Sequence, residues 1–168
     1  KYCVCVANGT DALQIALMAL DIKPGDEIIT TPFTWISTSE VISLLGAIPV
    51  FVDIETDTYN IDITKIEEKI TEKTKGILPV SLYGQMPNFV ELNKLANKYN
   101  LFVIEDGAQS FGAKQNDKYS LTHSIIGCTS FFPSKPLGCY GDGGALFTSD
   151  DDLYTKIKAI KNHGEIGR

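Results

Sequence analysis

The chain predicts an α/β fold of three layers (αβα), with helices on both faces of a mostly parallel sheet of about seven strands. Two observations carry this. Short runs rich in Val and Ile alternate along the chain with longer segments of helical periodicity. Most of those runs are apolar throughout, the pattern of strands covered on both faces. A third observation modifies the order. The last two strand candidates follow one another with no helix between them, so at least one connection there breaks the parallel pattern.

In chain order, the strand candidates are residues 3–7, 27–30, 49–53, 76–80, 101–105, 127–132 and 144–148. In the first, Cys3 and Cys5 alternate with valines, so both thiols point to one face. A helix over 10–20 is apolar nearly all round and reads as buried. A helix over 34–45 begins after Pro32. The segment 63–70 carries Lys and Glu on its outer side and reads as helical. A helix over 88–99 places Phe89, Leu92, Leu95 and Ala96 on one stripe. A helix over 150–161 opens with Asp150, Asp151 and Asp152 and closes with Lys158 and Lys161, which suits the helix dipole at both ends. Residues 109–125 form the longest irregular region and follow a strand's carboxyl end, where sheets of this class build their sites.

With 168 residues, 43% of them hydrophobic, the chain can bury one sizeable core. A net charge of −6 leaves no basic footprint for nucleic acid. No stretch is long and apolar enough to span a bilayer and no signal peptide opens the chain, so a cytoplasmic protein without a membrane partner is expected. Cys3, Cys5, Cys128 and Cys139 lack metal-ligand spacing, so no metal is expected, and they read as buried free thiols of a reducing compartment. The chain starts inside an apparent strand and stops soon after a helix. It reads as a piece cut from a longer protein.

Several segments carry residue types suited to chemistry. Asn8-Gly9-Thr10-Asp11-Ala12-Leu13 joins the first strand to the first helix. Gly9 permits a tight turn, and the amides of Thr10 and Asp11 open an electropositive helix end that suits a phosphate. An ordinary N-cap by Asn8 or Thr10 explains the same residues. Trp35 follows the second strand and could stack on a flat ring, although alone it reads as a packing residue. The strand ending at Glu105-Asp106 brings two acids to an apolar setting, which is costly unless something satisfies them. Asp106 suits a pyridinium nitrogen, a magnesium ion or a helix cap. Gln109 could reach the same ligand from three residues on, and alone reads as structural or solvated.

Lys135 lies between Pro133 and Pro136 in an apolar, Gly-rich stretch, unusual company for a surface lysine. Ser130, five residues earlier, has a hydroxyl fit for a phosphate. One cofactor needs both halves of this set. Pyridoxal phosphate (PLP) takes a lysine amine for a Schiff base and a buried carboxylate to keep its pyridine nitrogen protonated. The run Gly138-Cys139-Tyr140-Gly141-Asp142-Gly143-Gly144 leads into a strand and has Gly-x-x-Gly-x-Gly spacing. It is not the dinucleotide fingerprint, which argues against NAD.

In order and spacing, these pieces resemble the DegT/DnrJ/EryC1/StrS sugar aminotransferases, within the aspartate-aminotransferase fold of PLP enzymes. The resemblance runs through Asn8-Gly9-Thr10-Asp11, Pro24-Gly25-Asp26-Glu27, Thr31-Pro32-Phe33-Thr34-Trp35, Val80-Ser81-Leu82-Tyr83-Gly84-Gln85, Glu105-Asp106, Gln109-Ser110, Ser130 to Lys135 and Gly141-Asp142-Gly143-Gly144. It implies that Lys135 forms the Schiff base and moves protons, and that Asp106 pairs with the pyridine nitrogen. It also implies that Trp35 stacks on the ring, that Gln109 lies near the ring hydroxyl, and that Ser130 with the backbone of Gly9, Thr10 and Asp11 holds the phosphate. PLP would accept an amino group from glutamate, become pyridoxamine phosphate (PMP), and pass the amine to a keto-sugar nucleotide.

One departure from the family pattern is informative. Many members have His-Pro-x-Lys where this chain has Phe132-Pro133-Ser134-Lys135. The whole run from Ser130 to Gly144 is similar to the branch that aminates the C3 ketone of UDP-2-acetamido-2-deoxy-3-oxo-glucuronate for bacterial surface polysaccharide. Related branches aminate the C4 ketone of UDP- or dTDP-linked deoxysugars. Dehydratases of the family replace the lysine with histidine, which Lys135 disfavours, and a non-catalytic sensor or scaffold needs neither Lys135 nor Asp106. Family members run to roughly twice this length, which fits ~100–200 residues per domain. Residues 1–168 then represent a partial PLP-binding large domain, without an N-terminal segment and a C-terminal small domain, and a homodimer sharing its active site is implied.

Overall fold

The computed structural model describes residues 1–165; residues 166–168, the end of the tail that the sequence sets after its last helix, lie outside the described residues. Strands β1 (Tyr2–Val6), β2 (Glu27–Thr30), β3 (Ile48–Phe51), β4 (Thr74–Ile77) and β5 (Phe102–Asp106) come first. A small hairpin, β6 (Lys114–Gln115) and β7 (Lys118–Tyr119), precedes β8 (Ile126–Ser130) and β9 (Gly144–Thr148). The α-helices among the described residues are α1 (Gly9–Ala19), α2 (Ser37–Leu44), α3 (Phe89–Lys98) and α4 (Asp151–Lys161).

The main sheet has seven strands in the order β1-β9-β8-β5-β4-β2-β3. From β8 to β3 every neighbouring pair is parallel. β9 runs against both β8 and β1. This is the predicted class, and the reversal falls where the sequence lacks a helix. A strand leaving β8 without a crossover can return only antiparallel.

Strand alternation splits the core into two layers. Ile28, Leu78 and Ile104 pack with Leu13 and Leu17 of α1 and with Val41 and Ile42 of α2. Ile157 of α4 joins the same layer. Their neighbours Ile29, Ile77 and Val103 face the other way, onto Phe89, Leu92 and Ala96 of α3. Adjacent strand residues point to opposite faces, so each apolar run feeds both layers. Burying each such aliphatic side chain contributes ~1.5–3 kcal/mol.

Several expectations are corrected in detail. The strand expected over 76–80 ends at Ile77, because Pro79 has no N–H for the ladder. The helix expected over 34–45 starts at Ser37, because Phe33 donates its N–H to the Thr31 hydroxyl in a local turn that holds Trp35 outside the helix. The helix expected over 63–70 is two 3-10 turns, Ile63–Lys65 and Glu67–Lys69. Asp62 caps the first, and buried Ile66 between them anchors the segment. The cysteines are free as expected, but Cys3, Cys5 and Cys139 are exposed and Cys128 alone is buried. β1 is an edge strand that turns Val4 into the core, so Cys3 and Cys5 face outward. β3 is the opposite edge, which explains how Pro49 is tolerated in a strand.

Candidate active site

A cleft of about 520 Å³ opens where the carboxyl ends of β1, β2, β4, β5 and β8 meet. Ligand sites in open α/β sheets lie at this end. All eight residues singled out in the sequence line it: Gly9, Thr10, Asp11, Trp35, Asp106, Gln109, Ser130 and Lys135. They come from four separate segments, at the carboxyl ends of β1, β2, β5 and β8, so the fold rather than the chain order makes them neighbours.

Asp106 ends β5 and is 5% exposed. One carboxylate oxygen accepts the Thr38 hydroxyl at 2.8 Å and the other accepts the Ala108 N–H at 3.1 Å. Burial pushes its carboxyl above the usual range, and Thr38, Ala108 and the positive charge of Lys135 oppose that rise. The two acids of β5 part company by strand alternation. Asp106 faces α2 and the cleft, whereas Glu105 turns to the other face. There Glu105 accepts the Ser81 hydroxyl at 2.7 Å, the Ser120 hydroxyl at 2.9 Å and the Leu121 N–H at 2.6 Å.

Lys135 is half-buried on the loop between β8 and β9. Its own N–H donates to the Phe132 carbonyl at 2.8 Å. Phe131 donates to the Gly143 carbonyl at 2.7 Å and Cys139 to the Phe131 carbonyl at 2.8 Å, which ties both arms of the loop together. The sequence set Lys135 apart from an ordinary surface lysine, and the loop places it half-buried in the cleft lining.

Just after β1, α1 begins at the cleft. Asn8 is the cap, and its Oδ1 accepts the Asp11 N–H at 2.7 Å. Of the three amides expected to face an anion, Asp11's is therefore already engaged. Those of Gly9 and Thr10 remain as first-turn donors, which have no intrahelical acceptor. Ser130 accepts the Phe132 N–H at 3.2 Å, so its own O–H is free to donate elsewhere. A Cβ on Gly9 would lie 2.7 Å from the Ser130 Cβ, and one on Gly144 would lie 2.4 Å from the Asn8 carbonyl oxygen. The helix start and the strand end approach this closely only because glycine stands at both positions. Gly9→Ala is expected to destabilise the protein by about 1–3 kcal/mol through overpacking and to weaken anion binding. Thermal unfolding and a phosphate titration check this; an unchanged melting temperature and an unchanged phosphate affinity would count against the close approach.

Trp35 is 71% exposed and lines the cleft. Gln109 accepts the Tyr83 N–H on its Oε1 at 3.1 Å. Sequence reading missed Thr38, which is fully buried on α2 and bonded to Asp106, and Ser37, whose hydroxyl lies 2.9 Å from that of Thr10. The cluster Ser37-Thr38-Ser39 in the first turn of a helix was the available signal. Asn8, Thr34, Cys128, Ser134 and Asp142 also line the cleft. Burial pushes the Cys128 thiol up, so it is inert as a nucleophile. Among the described residues no group of three or more His, Cys, Asp or Glu could hold a metal, and no helix is long and apolar enough to cross a membrane.

This cleft brings together a primary amine, a buried acid and a set of N–H and O–H donors. Comparison with known proteins bears on what such a set serves. The model of the DegT/DnrJ/EryC1/StrS aminotransferase family matches residues 1–167. The UDP-2-acetamido-2-deoxy-3-oxo-D-glucuronate aminotransferase of Pseudomonas aeruginosa is 59% identical over 98% of this chain and 46% of its own length. A protein of Geobacillus stearothermophilus named as a pleiotropic regulatory protein is 48% identical over 98% of this chain and 44% of its own. A crystal structure of NtdA from Bacillus subtilis with bound cofactor PMP has a TM-score of 0.89 at 39% identity, over 95% of this chain and 36% of that one. The chain thus spans about half the length of the curated relatives it matches. With sequence, fold and family model agreeing from end to end, this chain belongs to the DegT/DnrJ/EryC1/StrS aminotransferase family.

Proposed function

We propose that the full-length protein is a PLP-dependent aminotransferase that passes an amino group from glutamate to a keto-sugar nucleotide. The favoured acceptor is the C3 ketone of a UDP-N-acetyl-oxo-glucuronate, in bacterial surface polysaccharide biosynthesis. One observation carries the reading: Lys135 and Asp106, on separate connections, line one cleft together with a helix start whose free amides suit an anion. The choice of sugar follows the relative from Pseudomonas aeruginosa.

The residues present fit PLP. A buried carboxylate held up by desolvation gains most from a cationic ring nitrogen. Gly9 leaves room where a Cβ would close the phosphate corner. Gly9 and Thr10 through their amides, and Ser130 through its hydroxyl, would hold the phosphate. Trp35 would cover the ring face and Gln109 would meet its hydroxyl. When bound, PLP supplies an electrophilic carbon for amines and a ring that accepts the electron pair left by proton removal. Lys135 Nζ anchors the group and then takes and returns the proton at the reacting carbon. Asp106 holds a proton on the ring nitrogen, and Thr38 and Ala108 keep its carboxylate aimed.

Residues 1–168 are proposed as a partial PLP-binding large domain of a cytoplasmic homodimer with a shared active site. Incubating the full-length protein with glutamate and a panel of UDP- and dTDP-keto sugars, followed by mass spectrometry, tests the function. Amination of the 3-oxo-glucuronate is expected. Preference for a 4-keto-deoxysugar would move the assignment to C4. No aminated product from any member would favour the sensor or scaffold reading, toward which the regulatory relative points.

A further inference from the structure

Residues 81–84 form a strained turn beside the cleft, and its three consecutive amides are each held by a different partner. Ser81 donates its N–H to the Asp106 carbonyl at 2.9 Å. Leu82 donates to Oδ1 of buried Asn60 at 3.2 Å. Tyr83 donates to Oε1 of Gln109 at 3.1 Å. The Ser81 hydroxyl meets Glu105, whose fully buried carboxylate also grips Ser120 and Leu121 on the far side of the loop that carries Gln109. Tyr83 has φ of 54°, in the left-handed region that a bulky side chain enters only at an energetic cost. Such a conformation persists only where the surroundings over-determine it, as four separate bonds do here.

The consequence falls on Gln109. A side-chain amide has one end that accepts and one that donates. A backbone N–H can only donate, so Tyr83 claims Oε1 and leaves Nε2 as the end free for the cleft that Gln109 lines. We infer that the 81–84 turn, with buried Glu105 beneath it, is a positioning device that presents Gln109 to the cleft as a nitrogen donor. Its target is an acceptor oxygen on the cofactor ring. The inference rests on the PLP reading above, which already puts Gln109 near the ring hydroxyl, and adds the residues, Tyr83 and Glu105, that hold its amide in place. Glu105 and Tyr83 act through Gln109 and touch no reacting atom.

The test uses the full-length protein. Gln109→Glu keeps the size and an acceptor for Tyr83 but puts an anionic oxygen where the donor stood. With PLP bound, the pH midpoint of the visible absorbance band is expected to rise by about one unit, and the PLP dissociation constant by about tenfold. In the PLP-free protein, Gln109→Ala and Glu105→Gln are each expected to lower hydrogen-exchange protection of the Tyr83 amide by about tenfold, although Glu105 does not line the cleft. If wild type shows the band and Gln109→Glu leaves its midpoint and the PLP affinity unmoved, the donor orientation is overturned while the cofactor reading stands. Unchanged Tyr83 protection in both exchange variants overturns the positioning role of the turn. A wild-type protein that takes up no PLP overturns the cofactor reading, and the donor role with it.

Discussion

Replacing Lys135 with alanine in the full-length protein is expected to abolish covalent attachment of PLP and to reduce turnover by at least about 10²–10⁴-fold, the usual contribution of a positioned proton-transfer group. The loss should be larger than for any other single change in the cleft, because in the proposed function one side chain both anchors the cofactor and moves the proton. No neighbour offers a second amine: the other polar side chains lining the cleft are amides, hydroxyls, a thiol, acids and the Trp35 indole. Borohydride reduction followed by peptide mass mapping should leave the cofactor mass on the Lys135 peptide in wild type and on no peptide in Lys135→Ala. A variant that transaminates normally would remove the foundation of the mechanism. The loop around Lys135 is held by backbone bonds from Phe131, Lys135 and Cys139, none of which uses the side chain. The variant should therefore fold as wild type does, and its melting temperature without PLP serves as the control.

The second large effect is a trade between stability and activity at Asp106. Burial raises its carboxyl pKa in the folded chain. A carboxyl raised in this way favours the folded state while protonated. That contribution is complete below the ordinary carboxylate range and is lost as pH rises through the raised folded value. At neutral pH without PLP, the ionised group therefore works against folding. Asp106→Asn removes that cost, and it can still accept the Ala108 N–H on its oxygen while its amide donates to Thr38. The PLP-free variant is expected to melt above wild type at pH 7, with the gap closing as pH falls toward 4. With PLP the order reverses. Losing a charge-assisted hydrogen bond costs ~1.5–3 kcal/mol, or roughly 10- to 150-fold in kcat/KM. Glu105 is raised in the same direction by burial, offset by its three donors, so its titration adds to the wild-type slope and cancels in the comparison. Equal melting temperatures at pH 7 would show that something other than the Asp106 charge sets the stability of the empty cleft.

Much of the fold was legible because parallel sheets write themselves as apolar runs. Residues 27–30 and 144–148 were read with the bounds the structure has. Boundaries went astray where one residue overrode the pattern. Pro79 ends β4 early, and the Thr31 turn delays α2 past Trp35. The hairpin of β6 and β7, inside the stretch read as irregular, is two residues a side with no apolar run to announce it. Cys3 and Cys5 were misjudged because burial of an edge strand depends on which face its neighbours cover, which no local pattern states.

Of the site, the residue types suited to PLP could be read along the chain, and so could the carboxyl-end placement that brings them to one place. Thr38 could not, since a threonine inside a helix is ordinary until a buried acid turns toward it.

By itself the sequence determined the layered α/β class, the single reversal near its end and the set of groups able to serve one flat, anionic cofactor, because periodicity and side-chain chemistry are local properties. Only the tertiary structure decided which of two adjacent acids enters the cleft, which helix-start amides remain free and which end of the Gln109 amide faces inward. Strand alternation turns Asp106 one way and Glu105 the other. Hydrogen bonds from residues distant in the chain then settle the rest, and such bonds exist only once the sheet has brought their partners together.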